Sequence, residues 1–418
     1  MSARTASSLR LAWSAVILAL CAAPGAALEV DPIYRMQVLG GQYFFAGEKG
    51  NLSGNASALA APALRFDDRW ALLPAAQASY QGTKQVVDLV GAGTLFQEQM
   101  DYRGSARLVW SPEGSPWRLK PFFSYKYELH KETKDERWGS GLFDYQKWCL
   151  GAEAEYLWRD PFSWRFGVDY YETNFPNYSS LESRAALQFQ GQSLAREMVG
   201  DKVLNNQNLA LRLAVNGPAT ERLVLEASLG TTYRHFPQQR VVDSVGNLTG
   251  AAREDFYNVA TLAARMPAEL NRDLRVLGGL ELGYSYNASN QNNYDAANTR
   301  YNPYYYNYGE WRVGPSLQLS AGPQGPGSRP MTLNLSASWR RRRYPYRTAQ
   351  DAAGVYDGSV LRITGWTLDA ALQYPMARNF SLTLDVQYGQ AGSNQMFEQF
   401  YRYNYKVTDY LFGISYAY

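Results

Sequence analysis

"FSLTLDVQYG", residues 380–389, puts Phe380, Leu382, Leu384, Val386 and Tyr388 on one face of an extended chain and Ser381, Thr383, Asp385 and Gln387 on the other. The same period of two runs through "FFSYKYEL" (122–129), "WCLGAEAEYLW" (148–158) and "MTLNLSASWR" (331–340). Alternation held for about ten residues is a strong constraint, because globular strands usually run ~5–6 residues and membrane-crossing strands need ~9–11.

Carried along the chain, this template predicts strands over 34–46, 54–66, 69–81, 100–111, 117–129, 145–158, 162–173 and 207–216. It continues through 221–235, 255–265, 273–287, 308–321, 331–343, 361–374, 380–390 and 403–418. Sixteen strands is an even number, as a closed membrane barrel requires.

The connections alternate in length. "SPEGSP" (111–116), "RDP" (159–161), "NGPATER" (216–222) and "PMARN" (375–379) are tight turns rich in Gly, Pro, Asn and Asp. Between them lie long polar segments at 130–144, 174–206, 236–254, 288–307 and 344–360. Outer-membrane barrels have short periplasmic turns and long outer loops. A soluble sandwich has no reason to alternate in this way.

The residues before the first strand, "MSARTASSLRLAWSAVILALCAAPGAALEV", combine Arg4 and Arg10, an apolar run from Leu11 to Cys21, and the small residues Gly25-Ala26-Ala27. They predict an export signal over 1–27, cleaved after Ala27, and a single barrel domain over 28–418. Leu20 before Cys21 is too bulky for a lipoprotein site, and cleavage leaves Cys149 as the remaining cysteine. The first strand follows so closely that no N-terminal plug or passenger is expected.

The chain ends on "YLFGISYAY", with Tyr410, Phe412, Ile414, Tyr416 and Tyr418 on one face. An amphipathic strand at a chain end needs a partner on both sides, which a closed barrel supplies. This ending resembles the C-terminal assembly signal of bacterial outer-membrane barrels, with Gly413, Tyr416 and Tyr418 matching and Leu411 standing where a polar residue is usual. The resemblance implies an outer-membrane location, with lipid, lipopolysaccharide and the barrel-assembly machinery as partners.

If the apolar faces meet lipid, the other faces line an interior. Lys126, Glu128, Lys147, Glu153, Glu155, Arg165, Asp169, Arg212, Glu226, Arg234, Arg275, Glu281, Arg312, Arg340, Arg342, Asp369 and Asp385 all fall there and are the candidate pore-lining residues. Arg341 is expected at a strand end. The chain holds 32 Tyr and 11 Trp, side chains that favour the membrane boundary. Trp148, Trp158, Trp164, Tyr284, Trp311, Trp339, Trp366 and Tyr388 are placed near strand ends as girdles.

A net charge of +3 gives no reason to expect nucleic acid. "RRRRYPYR" (340–347) reads as an anion-attracting mouth or, more plainly, as a contact for lipopolysaccharide phosphates. "RYNPYYYNYGEW" (300–311) suits sugar stacking and loop packing equally. The 174–206 loop has a helical pattern through Ala185, Leu187, Leu194 and Met198, and is expected to fold inward.

His130 and His235 sit at outer strand ends, but the sequence shows no nucleophile positioned beside them. No zinc spacing, P-loop or dinucleotide fingerprint occurs, so neither a cofactor nor a metal is expected. The leading expectation is a non-enzymatic channel for small polar or anionic solutes. The alternatives are an export barrel for polysaccharide or another polymer, working with periplasmic partners, and a non-conducting barrel that binds a surface.

Overall fold

The computed structural model describes residues 28–418 apart from 90, 160, 180–195, 296–297, 324–327 and 399–400. The export signal and the helical pattern through Ala185, Leu187 and Leu194 lie outside the described residues. Sixteen antiparallel strands close into a barrel. They are β1 (Tyr34–Phe45), β2 (Asn51–Ala60), β3 (Trp70–Gln81), β4 (Glu98–Trp110), β5 (Trp117–Lys131), β6 (Tyr145–Leu157), β7 (Ser163–Asn174) and β8 (Asn206–Thr220). The second half comprises β9 (Leu223–Val242), β10 (Leu248–Asn271), β11 (Leu274–Ser289), β12 (Tyr308–Ala321), β13 (Met331–Gln350), β14 (Tyr356–Pro375), β15 (Phe380–Ser393) and β16 (Tyr405–Ala417).

Each strand pairs with its chain neighbours, and β16 pairs with both β15 and β1. The last residue is therefore tied down: the Tyr418 and Tyr34 backbones exchange N–H···O bonds of 2.8 and 3.1 Å. At this seam Gly413 is required by space, because a Cβ there would stand 1.9 Å from the Val38 carbonyl oxygen.

The alternation sorts as its chemistry demands. Leu150, Leu229, Phe256 and Ile414 point outward and are at least half exposed, while Glu128 and Asp169 on the opposite face are buried. The outer surface is ringed by aromatic pairs at two levels. Tyr284–Trp311, Trp148–Tyr170 and Trp339–Trp366 lie toward the long-loop end. Trp70–Trp110, Trp117–Tyr156 and Phe380–Tyr416 lie toward the short-turn end. A band of apolar residues between two aromatic belts is the surface that a bilayer selects.

Three expectations need correction. Residues 236–254 and 344–360 are mostly strand, with β9–β10 and β13–β14 running on past the upper belt to turns at 243–247 and 351–355. Backbone pairing continues there without an apolar face because both sides meet water or protein. The second strand covers Asn51–Ala60, and the expected residues beyond it form the three-residue strand Ala63–Arg65 on Glu29–Asp31. Arg341 lies within β13, opposite Trp311 and Thr364 and thus level with the upper belt, where a cation costs little.

Candidate lumen and mouth

Every candidate pore-lining residue sits on the inner face of its strand, and eleven of the seventeen meet an opposite charge, on the same strand or within two strands. Lys126 bonds Glu128 and stands 3.0 Å from Asp101. Glu153 and Glu155 share Lys120 at 3.0 and 2.9 Å, with Arg118 on Glu155 at 3.7 Å. Arg165 holds Glu226 at 2.7 Å, Arg212 holds Asp169 at 2.5 Å, and Arg275 holds Glu269 at 3.0 Å near the short-turn end. Glu310 takes Arg312 at 3.2 Å and Arg342 at 2.8 Å. The remaining carboxylates are less confined. Asp369 accepts from Ser336 at 3.2 Å, Glu281 faces Gly314, and Asp385 lies across from Leu411.

Lys147 and Arg234 differ. Their cationic groups lie over the Tyr171 ring at 3.8 Å and the Tyr257 ring at 4.9 Å, and neither forms an ion pair among the described residues. Arg340 reaches the Tyr405 hydroxyl at 3.4 Å.

The "RRRRYPYR" segment is split by the strand period. Arg340, Arg342, Tyr344 and Arg347 turn inward, while Arg341 and Arg343 turn outward, so no single cationic mouth forms. Arg347 is sandwiched among Tyr305, Tyr344 and Tyr403. Loop packing likewise accounts for Tyr305 and Tyr306. Tyr306 lies 4.2 Å beneath Arg253, whose guanidinium grips Asp255 through two bonds of 2.9 and 2.6 Å.

Sequence reasoning missed the segment that enters the lumen. Residues 82–97 connect β3 to β4, and Gln85–Asp88 pairs with Gly93–Phe96 as a small hairpin. The Asp88 carboxylate bonds Arg342 on β13, the Arg402 N–H donates to the Gly93 carbonyl at 2.7 Å, and Arg347 donates to the Gly91 carbonyl at 3.3 Å. Lys84, where the hairpin leaves the wall, pairs with Glu48. Its signal was present: "QVVD" and "GTLF" are short β-rich runs around a glycine turn.

The hairpin carries an apolar core into the mouth. Ala92 and Phe96 pack with Phe143, Phe175, Tyr178, Met198, Val203, Leu204 and Tyr403, drawn from three other outer loops. Of the 174–206 loop, Phe175, Tyr178 and 196–206 thus join the mouth. His130 is sealed in the same layer, its ring 4.2 Å from that of Phe96 and its Nε2 3.2 Å from Glu128.

Two polar cavities flank the hairpin. One of about 450 Å³ is bounded by Asp88, Lys147, Arg234, Arg253, Arg342 and several tyrosines. The other, about 310 Å³, lies between the hairpin stem and Arg340, Gln387 and Asp409.

Sixteen strands closed end to end, apolar outside between aromatic belts and charged within, can be stable only across a bilayer. The chain is a bacterial outer-membrane β-barrel. No protein-family model matches it, and no curated protein matches it by sequence. Solved structures similar to the barrel include a bacterial polysaccharide outer membrane secretin, at 11% identity, covering 92% of this chain and 98% of that one with a TM-score of 0.41. OmpT of Vibrio cholerae is similar at 10% identity over 94% and 98%, with a TM-score of 0.45. OccK2 of Pseudomonas aeruginosa, in complex with glucuronate, is similar at 12% over 93% and 96%, with a TM-score of 0.44. At TM-scores under 0.5 these likenesses add nothing to what the barrel's own geometry establishes.

Proposed function

We propose that the barrel is a channel for small polar or anionic solutes, narrowed at its outer end by the Gln85–Phe96 hairpin and without enzymatic activity. The observation that carries this reading is the inner wall. Its charges, mostly paired with one another, line polar cavities on both sides of the hairpin. A charged, hydrated wall orders water and favours polar solutes over apolar ones. Paired charges line closed barrel interiors as well, so it is the open polar space beside the hairpin that favours conduction. As for catalysis, burial of His130 under Phe96 keeps substrate from it.

Swelling of liposomes loaded with the refolded protein tests the reading. Entry of arabinose and gluconate faster than in protein-free liposomes supports a small-solute channel. Equal rates with and without protein contradict it. Entry of long oligosaccharides at the same rate as monosaccharides favours the polymer exporter instead.

A further inference from the structure

Resting on the channel reading, the geometry points to a binding site for a ring-bearing carboxylate in the cavity beside the hairpin. The chamber has about 450 Å³, enough for one ring of six atoms with its substituents. Its cations are the argument. Arg253 is committed to Asp255, and Arg342 to Glu310 and Asp88. Lys147 and Arg234 face the same space with no carboxylate partner among the described residues, although Asp255 stands opposite Arg234 in the strand register. That carboxylate is turned away to Arg253 through both of its oxygens. Two cations on the wall of a half-open cavity, held by tyrosines and facing no carboxylate partner among the described residues, are an unfilled place for an anion.

The second observation is Asp88. Arg342 shares Glu310 with Arg312, so Asp88 is the second carboxylate set against these two cations. Asp88 brings one carboxylate on a hairpin to the edge of a cluster of Lys147, Arg234 and Arg342. It stands in for the carboxylate of a solute, and a solute that arrives competes with it. Tyr145, Tyr171, Tyr257 and Tyr308 line the chamber and offer flat faces and hydroxyls to the solute's ring. A rigid aryl acid and a sugar acid share this chemistry, a carboxylate on a ring.

Equilibrium binding to the refolded, detergent-solubilised barrel tests the site apart from conduction. Titration calorimetry with benzoate and galacturonate is compared with benzyl alcohol and galactose. We expect at least one of the two acids to bind and neither uncharged counterpart to do so. Binding of benzoate alone assigns an aryl acid, and of galacturonate alone a sugar acid. Lys147→Met with Arg234→Gln should weaken binding about tenfold or more, the loss of charge-assisted bonds. Asp88→Asn should tighten it about tenfold by removing the competitor, a gain that misfolding cannot mimic. Equal binding of acids and uncharged counterparts, no binding by either acid, or affinities unmoved by all these substitutions would overturn the site. Binding without conduction would sink the channel reading and leave the site standing. Conduction without binding would do the reverse.

Discussion

Asp88 and Arg342 lie 254 residues apart in the chain, yet the carboxylate of one accepts a bond from the guanidinium of the other inside the barrel. This contact latches the inward hairpin to the wall. Replacing Arg342 with Met leaves the buried Glu310 with Arg312 alone and the partly exposed Asp88 without its ion-pair partner, at a cost of roughly 1–3 kcal/mol. The hairpin should then leave the wall, and limited proteolysis should cut within 85–96 at least tenfold faster than in wild type. Unchanged cleavage would show that the apolar contacts alone hold it.

A second latch is titratable. Glu197 is buried, its Oε1 accepting from Asn293 at 3.1 Å and Tyr306 at 3.0 Å, while Oε2 has no hydrogen-bond partner. Burial pushes its carboxyl above the ordinary carboxylate range, against the opposing pull of its own backbone, Asn293, Tyr306 and Arg253. An acid with a raised folded pKa contributes stability that is complete below its unfolded pKa and is lost as pH rises through the folded value. Docking of 196–206 should therefore weaken with rising pH, by up to about tenfold per unit between the unfolded and the folded value and no further above the folded one. Hydrogen exchange at 196–206 reads this out. Glu197→Gln, which mimics the neutral form, should flatten the profile, and a profile that persists in the variant would assign it elsewhere.

At the seam, Gly413→Ala should destabilise the barrel by roughly 2 kcal/mol or more, since the new methyl would meet the Val38 carbonyl oxygen 1.9 Å away. Gly40→Ala is the control: nothing lies within 4 Å of its Cβ position, and its cost should stay below about 1 kcal/mol. Urea midpoints of the two refolded variants separate the cases. Equal midpoints would mean that the seam yields at little cost.

The face assignment is tested by adding charge. Leu229 is 58% exposed on the outer wall in the middle of β9, and Leu229→Arg should cost ~2–4 kcal/mol in lipid bilayers. Ser124→Arg, on the inner face of β5 between Phe122 and Lys126, should cost far less. The reverse order in refolding yields into vesicles would invert the barrel's faces.

How much of this was legible in the sequence follows from where a residue's environment is periodic. Between the belts every second residue of β5, β6, β13 and β15 meets lipid, so period two wrote those strands plainly. Above the belts that asymmetry ends. "PQQRVVDSVGNLTGAARE" (237–254) keeps its ladder in β9 and β10 but has no apolar face, and it read as loop. Inward direction also carried the candidate lining residues onto one face, while Asp101, Arg118, Lys120 and Glu310 were overlooked as their partners. The hairpin was hidden for another reason. "QVVDLVGAGTLF" announces a turn, but whether it folds into the lumen or away from it depends on Arg342, Arg347 and Arg402, far along the chain. For Glu197 and Arg253, composition suggests solvated loop charge, and only tertiary packing buries them.

Single-channel conductance in planar bilayers tests the central claim most directly. Wild type is compared with a variant in which residues 85–96 are replaced by a short Gly-Ser link. The hairpin account predicts steady conductance for wild type and a several-fold larger one for the variant, since current follows the open cross-section. A folded wild-type barrel and a folded variant that both conduct nothing would contradict it.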